Sequence, residues 1–222
     1  MKRSTLNEII RDAEAFFERF GFKLPPWARW KPEDWKKIGP DHREIVENML
    51  GWDVTDFNLG TFEKRGLVLF TLRNGKLEKK DKPYAEKIMI VGVNQETPYH
   101  FHWQKMEDII NRGGGTLVLE LSKSDKDEGL SDEPFTVQVD GVTRQFGRPG
   151  RLELNPGESV TLPPYLYHRF WAEGDRVLTG EVSMVNDDNS DNRFLEPLPR
   201  FPQIEEDEAP YRLLVSEYPS LP

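Results

Sequence analysis

From residue 67 onward the chain alternates short apolar runs with turn residues, and this pattern is what most constrains the fold. The runs are LVLFTLR, EKIMIVGV, TLVLEL, FTVQV, VTRQFG, RLEL, ESVTL, HRFWAE and RVLTGEVSMV. Turn dipeptides separate several of them, and Asn74-Gly75 in particular predicts a tight hairpin turn. Eight or more strands at this spacing, without intervening helices, predict an antiparallel β sandwich or barrel.

The N-terminal part of the chain has a helical pattern instead. Thr5 and Glu8 have the spacing of a capping box, so a helix is expected to begin near Thr5. Apolar residues then recur every three or four positions up to Gly21, a residue type that commonly ends helices. A second helix is predicted near residues 41–49, after a segment rich in proline and tryptophan.

No repeat and no long linker divides the chain, so we expect a single domain over residues 1–222. Its parts are predicted to be a helical extension (1–60), a β-barrel core (61–195) and a C-terminal tail that packs on the barrel (196–222). The tail contains the acidic run IEEDE, which we expect to be solvated.

The composition restricts the classes of function. A formal net charge of -9 and a pI near 5.1 disfavour binding to nucleic-acid phosphates or to anionic membranes. No apolar run of about 18 residues is present, so no membrane span is predicted, and the charged N-terminus does not predict export. The absence of cysteine excludes disulfides and thiolate ligands, and a cytoplasmic location is expected.

The segment YHFHWQKMEDIINRGGG contains two of the four histidines. If it begins as a strand, His100 and His102 point to one face, because side chains alternate along a strand. Glu107 follows after a turn or bulge that can bring its carboxylate to the same point, and His168 on another predicted strand can add a third imidazole. Three imidazoles and one carboxylate suit Mn, Fe, Co, Ni or Zn, whereas Ca and Mg prefer oxygen ligands. The alternative is that these are ordinary, partly buried histidines.

The pattern around these histidines resembles the two motifs of the cupin superfamily. The residues that carry the resemblance are Gly92, His100, His102, Glu107 and Gly114 in the first motif, and Pro156, Gly157, Pro163 and His168 in the second. One departure is Ala172, where many cupins have asparagine. The resemblance implies an all-β jelly-roll barrel, here with an α-helical N-terminal extension, that holds one metal ion. It leaves the reaction open.

Longer stretches resemble the D-lyxose isomerase family of cupins. They are NMLGWDVTDF, LFTLRNG, YAEKIM, HFHWQKMEDIINRGGG and GEVSMVNDDNSDNRF. This resemblance covers nearly the whole chain and implies a homodimeric enzyme with one divalent metal ion per subunit, typically Mn²⁺. The proposed ligands are also compatible with Co²⁺, Ni²⁺, Fe²⁺ or Zn²⁺. The implied reaction interconverts D-lyxose with D-xylulose, and usually D-mannose with D-fructose.

Isomerisation through an ene-diol moves a proton between C1 and C2, so it requires an acid or base. With no cysteine and only His42 outside the histidine set, this group must be Glu, Asp, Lys or Tyr. Lys105 precedes Glu107 by two residues, and a bound cation would lower the pKa of its ammonium group; otherwise it is a solvated turn lysine. Glu181 lies in the otherwise uncharged run LTGEVSMV, where a carboxylate either faces solvent or is kept inside for a purpose. Lys105 and Glu181 are the candidate catalytic residues, and Glu181 is the better general base.

Two other functions stay open on the sequence alone. The same four ligands serve iron dioxygenases and other cupin oxidoreductases, and a cupin can bind a metal ion or a sugar without catalysis. The polar loop NDDNSDN is predicted to be either a sugar-binding loop at the barrel mouth or an Asx-rich turn. It is not a calcium loop, because Asn192 and Leu198 stand where glycine and glutamate are required.

Overall fold

The computed structural model describes residues 1–76 and 82–221. In this part of the chain the helices are α1 (Arg3–Arg19), α2 (Pro32–Trp35) and α3 (Arg43–Glu47), with 3₁₀ turns at Pro26–Arg29, Pro40–His42 and Val215–Glu217. The strands are β1 (Gly51–Thr55), β2 (Leu67–Arg73), β3 (Tyr84–Val91), β4 (His100–Phe101), β5 (Glu107–Lys123), β6 (Phe135–Val139), β7 (Val142–Phe146), β8 (Gly150–Leu154), β9 (Ser159–Leu162), β10 (Leu166–Met184) and β11 (Arg193–Phe194). Every helix within these residues is too short or too polar to traverse a bilayer.

The expected β-barrel architecture with an N-terminal helix is confirmed. The strands pair antiparallel in the order β1-β2-β3-β10-β5-β9-β6-β7, while β4 pairs with β10, β11 with β4 and β8 with β5. The two longest strands, β5 and β10, take part in both halves of the barrel. The first part of β5 pairs with β9 and its second part with β8, and β10 pairs with β4 near its start and with β3 near its end.

The glycine run of β5 allows this long pair of strands to bend. β5 and β10 change register between Glu173 and Val177 of β10. Gly114 lies opposite this irregularity with a φ of +108°, and a Cβ there would lie 2.0 Å from the backbone oxygen of Arg176. Only glycine permits both this backbone conformation and this close approach.

Two apolar cores lie on opposite faces of the sheet. The inner core fills the barrel and contains Leu69 of β2 and Met89 of β3. The outer core lies between the sheet and α1, where Ile10 belongs to the same cluster as Phe70 and Ile88. Because side chains alternate along a strand, neighbouring residues of β2 and β3 enter different cores. α1 therefore covers part of the outer face of the barrel.

The start of α1 differs from the prediction. The helix begins at Arg3 and not at Thr5, and its N-cap residue, Lys2, provides no side-chain cap. Instead, Asp207 of the tail accepts hydrogen bonds from the backbone nitrogen (2.8 Å) and the hydroxyl (2.7 Å) of Ser4. The capping-box prediction was wrong because a distant carboxylate satisfies the first turn of the helix.

The acidic run of the tail is exposed to solvent, as expected, but its carboxylates also contact α1. Glu206 pairs with Arg3 (Nη2–Oε1, 2.6 Å), and Glu208 accepts a hydrogen bond from Asn7 (2.5 Å). Arg3 also pairs with Glu217, and its side chain is only 1 % exposed. These carboxylates provide partners for polar side chains of the first turns of α1, which would otherwise be buried without a hydrogen bond or an ion pair.

Arg3→Met is expected to lower the free energy of unfolding by about 1–3 kcal/mol, less than for a fully buried pair because Glu206 stays partly solvated. Urea denaturation followed by circular dichroism measures the change. Arg19→Met is the matched control, because Arg19 on the same helix makes only an exposed pair with Asp175, and its effect should stay within about 0.5 kcal/mol. Equal effects of the two substitutions would contradict a structural role for the Arg3 cluster.

Three further local predictions need correction. The runs HRFWAE and RVLTGEVSMV form the single strand β10, because the glycine between them lies in a bulge and not in a turn. The short strand β1 was not predicted, and the strand expected at the histidine segment is only the two-residue β4. Asn74-Gly75 does not form a two-residue hairpin turn, since β2 ends at Arg73 and β3 begins only at Tyr84. Residues 77–81 of this connection lie outside the described residues.

Candidate active site and metal centre

Three histidines converge beside the inner core of the barrel. His100 of β4 and His168 of β10 are direct cross-strand neighbours, and their ring centroids are 4.2 Å apart. His102 follows β4, with its ring centroid 5.2 Å from that of His100 and 5.6 Å from that of His168. One ring nitrogen from each histidine lies within 4.8 Å of those of the other two. The predicted grouping of the three imidazoles is therefore present, although β4 ends before His102.

Each of the three imidazoles is oriented by a backbone carbonyl. Their Nδ1 atoms lie 2.8, 2.5 and 3.0 Å from the carbonyl oxygens of Pro98, Asp191 and Leu166, respectively. Because a carbonyl oxygen only accepts hydrogen bonds, Nδ1 carries the proton and Nε2 keeps a lone pair. Such hydrogen bonds to the second nitrogen are typical of histidines that bind metal ions.

Glu107, the first residue of β5, lies against these imidazoles. Its Oε1 is 3.0 Å from Nε2 of His168 and 3.5 Å from Nε2 of His102. A carboxylate oxygen and an unprotonated imidazole nitrogen are both acceptors, so at this distance they require a positive charge between or beside them. A bound cation satisfies this requirement, and the mixed nitrogen and oxygen donors suit a divalent transition metal.

The buried ion-pair network beside the histidines contains both candidate catalytic residues. Nζ of Lys105 lies 2.7 Å from Oε2 of Glu107 and 3.0 Å from Oε1 of Glu181. Lys87 of β3 also reaches Oε1 of Glu181, at 3.1 Å. Glu181 is 4 % exposed and Lys105 is 3 % exposed. Both therefore line the same cavity as the histidines, and neither is a solvated surface residue.

Comparison with known proteins identifies the family to which this chain belongs. The D-lyxose isomerase family matches residues 1–218 of the chain. The chain is 50 % identical to the D-lyxose/D-mannose isomerase of Serratia proteamaculans over 224 residues, which cover 98 % of each chain. It is 49 % identical to the enzyme of the same name from Escherichia coli O157:H7, again over 98 % of each chain. The chain belongs to the D-lyxose isomerase family of enzymes.

Solved structures support the same fold for this family member. The L-ribose isomerase of Acinetobacter sp. DL28, solved in complex with L-ribose, has a TM-score of 0.61 at 14 % identity over 92 % of this chain and 98 % of that chain. The L-ribose isomerase of Geodermatophilus obscurus also has a TM-score of 0.61, at 16 % identity and the same coverage. At this level of identity the likeness establishes the barrel fold alone.

The protein groups around Lys105 raise its pKa. Burial alone would lower it, but the negative charges of Glu107 and Glu181 outweigh burial and raise it above its usual value. The lowering expected from a bound cation stays a prediction, since the raised pKa reflects the two buried carboxylates that surround the ammonium group. Lys105 is consequently suited to donating hydrogen bonds as a cation rather than to acting as a base.

The imidazoles are kept neutral by their surroundings. Burial, together with the neighbouring imidazoles, lowers the pKa of His100 well below its ordinary value. Burial and the charge of Lys105 lower the pKa of His102. A metal ligand must be an unprotonated imidazole, so these shifts keep two of the three ligands ready to bind at pH values at which a free histidine is protonated.

These shifts predict how the stability of the metal-free protein depends on pH. Below pH 6.5 the unfolded chain protonates His100 and His102 while the folded protein does not, so the free energy of unfolding falls as the pH is lowered. The slope is at most about 1.4 kcal/mol per pH unit for each histidine. Urea denaturation in a chelator at several pH values between 7.5 and 5 measures it. His102→Gln should reduce the slope, and an unaltered slope in this variant would contradict the assignment.

Hydrogen bonds to the polar loop NDDNSDN fix the backbone conformation around Lys105. Oδ1 of Asp191 accepts hydrogen bonds from the backbone nitrogens of Trp103 (2.8 Å) and Gln104 (3.0 Å), and Oδ2 accepts one from that of Lys105 (3.0 Å). The side-chain oxygen of Asn186 accepts hydrogen bonds from the ammonium group of Lys105, at 3.1 Å. The loop thus shapes the cavity; its contact with sugar hydroxyls stays a prediction.

Sequence analysis missed two cations of the cavity. Lys87 stands next to Glu86 at the start of the run EKIMIVGV, so its sequence context does not set it apart as Glu181 is set apart. Arg200 has no distinguishing signal either. It comes from the tail, bonds to Asp53 (2.5 Å) and lies 3.5 Å from Asp188. Burial acts to raise the pKa of Asp188, but the charge of Arg200 helps to lower it below its ordinary value. The pKa of Asp53 is raised, chiefly by burial.

Proposed function

We propose that the protein is a metal-dependent aldose–ketose isomerase that interconverts D-lyxose with D-xylulose and D-mannose with D-fructose. The observation that carries this proposal is one buried cavity in which the histidine cluster adjoins the Lys105–Glu181 pair. The curated relatives at about 50 % identity, named D-lyxose/D-mannose isomerases, support the choice of sugars.

One divalent metal ion per subunit would be held by His100, His102, Glu107 and His168. We choose Mn²⁺ because the family resemblance implies it, and Co²⁺, Ni²⁺, Fe²⁺ and Zn²⁺ suit the same donors. Such an ion, when bound, supplies Lewis-acid stabilisation of negative charge that develops on the sugar oxygens.

Glu181 is the proposed general base. The reaction removes a proton from C2 of the aldose and returns one to C1, so the group that carries it must alternate between base and acid. The carboxylate of Glu181 can do this. Its negative charge is compensated by Lys87 and Lys105, with Nζ–Oε1 distances of 3.1 and 3.0 Å. These contacts hold the carboxylate in one orientation inside the cavity.

Lys105 is proposed to act on the sugar oxygens. Glu107 and Glu181 raise its pKa and so favour the ammonium form, which can donate a hydrogen bond to the carbonyl oxygen. That oxygen gains negative charge as the C2 proton leaves, so the hydrogen bond strengthens in the transition state. Lys105 thus assists Glu181 and does not replace it as the base.

The proposal is tested by incubating metal-reconstituted protein with a panel of pentoses and hexoses in D₂O without oxygen. We expect ketose formation from D-lyxose and D-mannose, with deuterium at C1 or C2. Dependence of turnover on oxygen would instead indicate a cupin dioxygenase. The absence of ketose from every sugar, with metal bound, would indicate a binding protein and overturn the proposal.

Two further properties belong to the same proposal. The family resemblance implies a homodimer, which sedimentation velocity measures directly. A cytoplasmic location follows from the sequence-based expectation and is tested by fractionation of the source cells.

A further inference from the structure

Within residues 1–76 and 82–221, the helical extension covers the outer face of the barrel at one end only. α1 and the residues packed around it cover outward-facing residues such as Ile90 of β3 and its cross-strand neighbour Leu178 of β10. Six residues further along the same pair of strands, Tyr84 lies opposite Met184. Alternation places these residues on the same outer face, but here Tyr84, Val182 and Met184 are 47 %, 43 % and 49 % exposed.

This exposed area extends onto β5. Met106, just before β5, is 43 % exposed, and its carbonyl oxygen accepts a hydrogen bond from the backbone of Met184. We call Tyr84, Met106, Val182 and Met184 the outer patch. A contiguous group of large apolar side chains on a monomer commonly marks an interaction surface.

A pair of opposite charges lies beside the outer patch on β5. Asp108 and Arg112 are separated by four residues on the outward face, with the half-buried Ile110 between them. Asp108 is opposite Val182 and accepts a hydrogen bond from the hydroxyl of Thr161 (2.6 Å). Within residues 1–76 and 82–221, neither Asp108 nor Arg112 has an ion-pair partner.

The side chain of Arg112 lies directly over Gly180 of β10. Gly180 pairs with Ile110, and a Cβ at Gly180 would lie 3.1 Å from Nε of Arg112. The arginine side chain therefore extends across the flat surface of β10 instead of projecting away from it. This keeps its charge close to the sheet, where a second flat surface can approach it.

We propose that the outer patch, together with Asp108 and Arg112, is the contact surface between two copies of this chain. A two-fold axis near Ile110 would place the β5 strands of the two copies antiparallel. Arg112 of each copy then faces Asp108 of the other, so that two equivalent ion pairs form. The apolar side chains of the outer patch are buried in the same contact.

Charge complementarity favours a second copy as the occupant of this surface. Each chain carries a formal net charge of -9, so two copies repel each other unless opposite charges meet at the contact. The surface presents both signs, spaced symmetrically about Ile110, and is therefore complementary to itself. A stable dimer buries about 800 Å² on each partner, and the charged residues of β5 add to the area that the outer patch offers.

This inference deepens the proposed homodimer and is independent of the proposed reaction. Oligomeric state and ketose formation are measured separately, so failure of one is distinguishable from failure of the other.

Sedimentation velocity of the full-length, metal-reconstituted protein tests the surface. We expect the wild type to have the mass of two chains. Val182→Glu should weaken association by about tenfold or more. Val142→Glu is the matched control, because Val142 is also an outward-facing strand residue but lies on β7, and it is 61 % exposed. A monomeric wild type, or a Val182→Glu variant that associates as the wild type does, would overturn the proposal.

Charge exchange tests the two-fold arrangement itself. Asp108→Arg alone and Arg112→Asp alone each place like charges opposite one another twice and should weaken association by about tenfold or more. The double variant restores both ion pairs and should return association to within a few-fold of the wild type. Circular dichroism confirms that each variant is folded. Failure of the double variant to recover, with both single variants weakened, would overturn the pairing about Ile110.

Discussion

Glu181→Gln is expected to lower kcat for sugar isomerisation by about 10²–10⁴-fold, with the metal content unchanged. An amide cannot take the proton from C2, but glutamine has the same size and its oxygen can still accept hydrogen bonds from Lys87 and Lys105. Lys105 also keeps its ion pair with Glu107 (2.7 Å), so no buried ammonium group is left alone. Steady-state kinetics together with metal analysis by plasma emission measure both quantities.

Two further variants provide a control and a second test of this prediction. Glu153→Gln removes the same charge from an exposed position on β8 and should change kcat by no more than about twofold. Lys105→Met should also lower kcat while the metal is retained, because the ammonium group can no longer stabilise charge on the sugar oxygen. A wild-type kcat in Glu181→Gln would remove Glu181 as the base and leave the metal-site assignment standing.

His168→Ala is expected to abolish activity by weakening metal binding by more than about 100-fold. The substitution removes one of three convergent imidazoles and also the nitrogen that lies 3.0 Å from Oε1 of Glu107. Metal content after dialysis and titration calorimetry measure the loss. We expect the sugar-isomerising activity to fall in proportion to metal occupancy.

His42→Ala is the matched control for this prediction. Its ring accepts a hydrogen bond from the backbone of Gly39 and packs against Trp30, on the α-helical side of the molecule. Metal content and activity should therefore remain those of the wild type. A His168→Ala protein that is folded, inactive and fully loaded with metal would show that His168 serves catalysis in some other way.

The buried charges of the cavity form one compensated network. Lys87 and Lys105 contact Glu181, and Lys105 also contacts Glu107. Each of these groups has a desolvation cost that is offset only while its partners are present. For this reason substitutions that preserve size and hydrogen bonding, such as Glu181→Gln, separate catalysis from folding better than truncation to alanine.

The sequence by itself determined the architecture and the identity of the candidate ligands. Apolar runs alternating with turn residues predicted an antiparallel β sandwich or barrel, and the resemblance to the cupin motifs implied the barrel. Strand alternation predicted that His100 and His102 converge; the two rings do lie together, although β4 ends at Phe101 and His102 belongs to the loop that follows. Glu181 was recognisable because a carboxylate inside an apolar strand is too costly to be incidental.

Only the tertiary structure decided how these residues are charged and what surrounds them. Asp207 caps α1 and Arg200 closes the cavity, yet both come from the tail and are remote in sequence from their partners. The pKa of Lys105 is raised by Glu107 and also by Glu181, whose contact with Lys105 spans 76 residues of chain. Coulomb energies and desolvation depend on distances in space, and local sequence patterns do not contain those distances.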